Sequence, residues 1–113
     1  MANTFNNAQV QLTSTSLTDV YTAPTGTGNV SIVLSTIAAN YTGSAPASIT
    51  IAKTDNSNTL QSYIAFTIPV PQNTSLEIIP QKVVLKAGEK LRAQASLANY
   101  FYVTVSALEI TTP

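Results

Sequence analysis

The chain has 113 residues, none of them His, Cys or Trp, and its ten charged side chains divide five and five, for a net charge of zero. A single domain of this length, 44% apolar, can bury a core without staples; the missing residues exclude disulfide scaffolds, thiolate metal sites and histidine-based triads. A charged fraction of 9%, against roughly 25% in an average domain, points to a surface of Thr, Ser, Asn and Gln that can meet a partner without desolvating ions.

Polar, Asn-rich residues 1–9 show no alternation and are expected as a flexible arm, followed by a single β-sandwich domain over 10–113. Val10 and Leu12 alternate with Gln9, Gln11 and Thr13 as a first strand. Val20 and Tyr21 lead into Pro24-Thr25-Gly26-Thr27-Gly28, a turn. Val30, Ile32 and Leu34 then alternate with Ser31 and Ser35 up to about Ala39, and Asn40–Pro46 reads as a loop. Ile49 and Ile51 make a short strand that ends at Asp55-Asn56-Ser57-Asn58, an Asx-type turn.

Leu60, Ser62, Ile64, Phe66, Ile68 and Val70 are expected to share one face of the next strand, bracketed by Pro69 and Pro71. Leu76 and Ile78 form another strand, stopped by Pro80. Val83 and Leu85 run into Lys86-Ala87-Gly88-Glu89, read as a hairpin turn with positive φ at Gly88, and Leu91, Ala93 and Ala95 return. The last strand, Tyr100 to Ile110, places Phe101 and Val103 inward and Tyr100 and Tyr102 outward; a change of parity before Leu108 predicts a β-bulge near Ala107. The result is an all-β fold, an antiparallel β-sandwich of about eight strands, jelly-roll or immunoglobulin-like.

Function is narrowed by elimination. No apolar run approaches the ~18–20 residues of a membrane helix, and residues 1–9 carry no basic start of a signal peptide. Net neutrality argues against a nucleic-acid partner, and Lys82, Lys86, Lys90 and Arg92 read as the solvated face of a hairpin. Most of the five carboxylates fall at turns or on outward positions, so no catalytic residue, metal ligand or cofactor is expected. Asp55-Asn56-Ser57-Asn58 is too weakly charged for calcium. Sequons at Asn29, Asn40 and Asn73 are what chance supplies in so Asn- and Thr-rich a chain. The candidate protein-contact residues are Phe5 in the arm, Tyr41 in the loop, and Tyr100 and Tyr102 on the last strand. Each offers apolar area, and the tyrosines add a polar tip suited to protein contact or to stacking on sugar.

Val20-Tyr21-Thr22-Ala23-Pro24 with the Val30–Ala39 strand, and then, from Ile68 to Ile110, IPVPQNTSLEIIPQKVVLKAGEKLRAQAS with the closing VTVSALEI, resemble small structural proteins of tailed bacteriophages, including those of cyanobacterial viruses. The resemblance covers most of the chain beyond residue 19. It implies a non-enzymatic virion component, made in the host cytoplasm and placed on the capsid exterior. The role implied first is decoration (cement) bound to the major capsid protein as a trimer or dimer. Tail, neck or baseplate subunits and a carbohydrate-binding module for adsorption are the alternatives.

Overall fold

Short runs of Val, Ile and Thr at period two fit a pleated, half-buried surface, and they dictate two stacked sheets. The computed structural model describes residues 2–42, 45–78 and 82–111. Among these are nine strands: β1 (Ala2–Leu12), β2 (Thr18–Thr22), β3 (Val30–Asn40), β4 (Ala47–Thr54), β5 (Leu60–Val70), β6 (Thr74–Glu77), β7 (Val83–Lys86), β8 (Lys90–Ala95) and β9 (Phe101–Thr111). The Pro80 stop, and Gly43 and Ser44 of the expected loop, lie outside the described residues.

The first sheet has the order β1-β9-β3-β6, with β7 also on β3; the second has β2-β8-β4-β5. β6 pairs with residues 37–40 of β3 and β7 with residues 30–33, so the two are halves of one interrupted strand. Counting them as one leaves eight strands in two four-stranded sheets, with every connection crossing between sheets except that from β4 to β5. That is the jelly-roll arrangement, and it settles the choice left open with the immunoglobulin-like one. Leu12, Val33, Ile49, Ile51, Val70, Leu85, Leu91, Phe101, Val103 and Val105 fill the interior, with Ala38, Ala93 and Ala107 among them.

Several local expectations change. Residues 2–9, expected as an arm, belong to β1 and pair one-to-one with β9, from Ala2 opposite Thr111 onward. The partner strand supplies the order that their own pattern does not encode. Lys86-Ala87-Gly88-Glu89 closes no hairpin: β7 lies in the first sheet and β8 in the second, so the turn is a corner between layers. Gly88 does take positive φ, 77°. The bulge lies across from Ala107, in β3, where Leu34 is the extra residue between Val33 and Ser35. β3 therefore turns Ser31 and Val33 inward before it and Thr36, Ala38 and Asn40 after it, leaving Val30 and Ile32 on the outside.

Two buried polar clusters hold the ends. Asn40, fully buried, donates from Nδ2 to the carbonyls of Ala45 and Val70, and its Oδ1 accepts from the N–H and hydroxyl of Thr42. All its hydrogen-bonding capacity is used, which ties β3, the following loop and the end of β5 together. At the other end, the Tyr21 hydroxyl donates to Glu109 Oε2 at 2.5 Å and lies 2.8 Å from Ser31 Oγ, clasping β2 to the opposite sheet.

Candidate functional site

Alternation along each strand of the first sheet sends one residue set inward and the other to its outer face. On that outer face, register places Phe5 beside Leu108, Leu108 beside Ile32, and Ile32 beside Val84. At the usual strand spacing this apolar row runs roughly 15 Å across four strands. Phe5 is 77% exposed and Val84 55%, while Ile32 and Leu108 are half-buried. The next row is Asn3, Ile110, Val30 and Lys86. A contiguous apolar patch of this kind on a sheet face marks an interaction surface more often than chance exposure does.

Further along the same face the rows become polar: Asn7, Ser106 and Ser35, then Gln9 and Thr104 beside Ile37, with Glu77 of β6 at the end of that row. The face ends at Tyr102, whose ring packs at 5.0 Å against that of Tyr41. Gln11 Nε2 donates to the Tyr41 hydroxyl at 2.7 Å. The structure thus brings Phe5, Tyr41 and Tyr102 onto one face, with Phe5 and the tyrosine pair roughly 20 Å apart along the strands. Tyr100 does not join them: it precedes β9 and packs, half-buried, against the core.

The outer face of the second sheet differs. Opposite Thr50, β5 carries two residues, Phe66 and Thr67, where the ladder steps from Ile49–Ile68 to Ile51–Ala65. Ile64, Ile68 and Val70 of the expected face do pack on the core, but the bulge turns Phe66 out, 60% exposed, with Ala65 buried beside it, and Leu60 is exposed as well. Thr67 sits at φ 49°, a conformation that strains a β-branched residue, and its N–H donates to Thr50 Oγ1. Phe66 meets Tyr63 edge-on at 4.8 Å. Beside the pair lies an open cleft of about 200 Å³, lined by Ser48, Thr50, Phe66, Thr67, Gln94, Ala95 and Ser96.

The ion pairs among the described residues gather at Asp19 and Glu89. Asp19 accepts from Arg92 Nε at 2.6 Å and Lys90 Nζ at 3.2 Å. Partial burial works to raise the Asp19 carboxyl, but its bonds to these cations outweigh that and hold it below its usual value. Lys53 pairs with Glu89, whose carboxyl is likewise pulled down: burial opposes, and the Lys86 N–H, Gln61 and Lys53 prevail. The four clustered basic residues divide between layers, with Lys86 on β7 of the first sheet and Lys90 and Arg92 on β8 of the second. Asp55 Oδ1 accepts from the N–H groups of Ser57 and Thr59, so Asp55–Asn58 is the Asx-type turn expected.

Burial, with the Glu109 carboxylate as acceptor, pushes the Tyr21 hydroxyl up to about 12. Held in this way, the phenol is a fixed donor near neutral pH and a poor acid. Among the described residues, no group of three or more carboxylates gathers as a metal site would require.

No protein-family model matches the chain, and no curated protein matches its sequence. Ile32, Leu108 and Phe66 continue apolar alternations that read as core, while Val84 and Tyr63 fall between the alternating positions and are not singled out as contacts. The available signal is adjacency: Ile32-Val33 and Val83-Val84 put apolar residues on both faces of a strand.

Proposed function

We propose that this protein is a non-enzymatic structural subunit of a virion, in first place a capsid decoration (cement) protein that binds the head through the outer face of its first sheet. The observation that carries the reading is the row Phe5, Leu108, Ile32 and Val84, continued by largely polar rows to the Tyr41–Tyr102 pair. Such a face gains apolar burial and hydrogen bonds on docking, and its charged side chains, Lys86 and Glu77, stand at the β6–β7 margin, so few ions need be desolvated. Small contacts repeated over many copies add up to firm attachment. The jelly roll supports the reading only as company, since capsid and lectin domains both use it and fold does not assign function.

Antibody to the protein, applied to purified particles, is expected to cover heads at high copy number. Label confined to the tail would replace decoration by the tail, neck or baseplate alternative. Heads lacking the protein should leak on heating or osmotic shock; equal stability with and without it would end the cement role.

The strained Phe66–Thr67 bulge favours a second reading, a carbohydrate-binding module for adsorption. An exposed aromatic pair beside hydroxyls and an amide, with no charge in the lining, suits one ring of a neutral sugar. Phe66→Ala should abolish chemical-shift changes on titration with neutral oligosaccharides. Absence of any shift at millimolar sugar would remove this reading.

A further inference from the structure

Among the described residues, the two outermost strands that run the length of a sheet are β1 and β5, and only β1 presents a regular edge. β5 breaks its ladder with β4 at three places and carries Pro69. The edges at β2 and at β6 with β7 are short pieces of five and four residues. β1 runs eleven residues in unbroken register and contains no Pro, no Gly and no charged side chain. Natural sheets normally blunt such an edge, because its free N–H and C=O groups form a template for another strand.

The direction of those groups follows from the ladder. The Tyr100 carbonyl accepts from the Tyr41 N–H, so even-numbered residues of β9 turn their backbone groups toward β3 and odd-numbered ones toward β1. Odd residues of β9 pair with even residues of β1. That leaves the N–H and C=O of Asn3, Phe5, Asn7, Gln9 and Gln11 aimed at the open edge. Consistent with this, the Asn7 N–H is met by the side chain of its neighbour, Asn6 Oδ1, at 2.9 Å, and not by a strand.

We infer that β1 pairs antiparallel with β1 of a second copy, about a two-fold axis at Phe5, joining the two first sheets into one. Two observations select the second copy. The strand is uncharged, so like charges do not oppose one another across the axis. The apolar row Val84, Ile32, Leu108, Phe5 stops at this edge with its most exposed member. A two-fold at Phe5 continues it through Phe5, Leu108, Ile32 and Val84 of the second copy. Asn3 then faces Asn7 of the second copy, and Phe5 faces its counterpart in a hydrogen-bonded pair. The pairing deepens the oligomer that the proposed function calls for, and it is isologous and closed at two.

The test uses purified protein, so its failure leaves the particle reading standing. Sedimentation equilibrium at about 100 µM is expected to give a dimer, and Asn7→Pro should weaken it at least about tenfold. That proline removes an N–H aimed at the open edge and none from the ladder with β9. Phe5→Lys, at a side chain 77% exposed, should do the same, with a melting temperature unchanged at dilutions where both proteins are monomeric. It also decides the matter should the proline variant fail to fold. Because the chain has no cysteine, an Asn3→Cys/Asn7→Cys variant should oxidise to a covalent dimer and Gln9→Cys/Gln11→Cys should not, which fixes the register. A monomer up to about 1 mM, a trimer, or a dimer indifferent to both substitutions would overturn the proposal.

Discussion

β1 and β5 are both eleven-residue strands at the margin of a four-stranded layer, and they are built on opposite plans. β5 is irregular: its ladder slips three times, Thr67 takes a left-handed conformation, and Pro69 interrupts its donors. β1 is flat in register and rich in amides. The contrast teaches that strand content alone says little about association. What matters is whether the outward-facing backbone groups form an uninterrupted series, and the protein has spoiled that series on one side only.

The largest effect should come from freeing the far end of β5, which Asn40 anchors through the Val70 carbonyl. Asn40→Ala leaves buried carbonyls and the Thr42 N–H without partners and should cost about 3 kcal/mol or more by urea denaturation. A loss under about 1 kcal/mol would mean that β5 holds its place without this anchor.

The second effect concerns the clasp beside β1. Because the Tyr21 hydroxyl titrates near 12, above its usual 10, folding favours the protonated phenol. Its contribution is complete below pH 10 and is lost as the pH rises from 10 to 12. Wild-type denaturation midpoints should fall across that window by an amount worth roughly 2 kcal/mol. Tyr21→Phe should be less stable at neutral pH and should lose this part of the fall. An identical alkaline profile in the two proteins would show that the clasp is not what titrates.

Thr67→Gly relieves the left-handed strain in the β5 bulge and should stabilise by about 1 kcal/mol. If it destabilises, the bulge is held by the Thr67 side chain and not merely tolerated. Thr36→Val should also stabilise, by about 1 kcal/mol, since the Thr36 hydroxyl is the buried side-chain group left unsatisfied among the described residues. Smallest of all, Phe5→Lys should change the stability of the monomer by less than about 0.5 kcal/mol while removing self-association. A large loss of stability would mean that β1 needs Phe5 to stay on β9.

Much of the layer architecture is legible from period-two runs, and so are features set by a single residue's chemistry. Gly88 has to take positive φ, Asp55 closes its own turn, and Phe101 and Val103 point inward. What stays hidden is non-local. Asn3-Thr4-Phe5-Asn6-Asn7 shows no strand signal, because a backbone partner about a hundred residues away supplies its order. The Lys86–Glu89 corner looks like a hairpin, since the turn chemistry is the same whether the returning strand stays in its layer or crosses. Parity fails at Leu34 and at Phe66–Thr67, where one extra residue exchanges inside for outside. The outer apolar row is misread for the same reason: Ile32 and Leu108 alternate as faithfully as core residues do. Of the contact residues, Phe5, Tyr41 and Tyr102 are legible as exposed aromatics. Their common face is not, because it depends on pairing across three strands.

The Asn40 cluster carries a consequence for making the protein. Asn40-Tyr41-Thr42 is an acceptor sequence for N-glycosylation, yet both amide hydrogens of Asn40 are spent inside the fold. In a secretory host, oligosaccharide transfer occurs on the nascent chain, before burial can protect the site. A chain modified there could not place Asn40 in its pocket, so secreted yield should rise when the tripeptide is disrupted by Thr42→Ala, despite the hydroxyl bond this sacrifices. Bacterial expression avoids the trap.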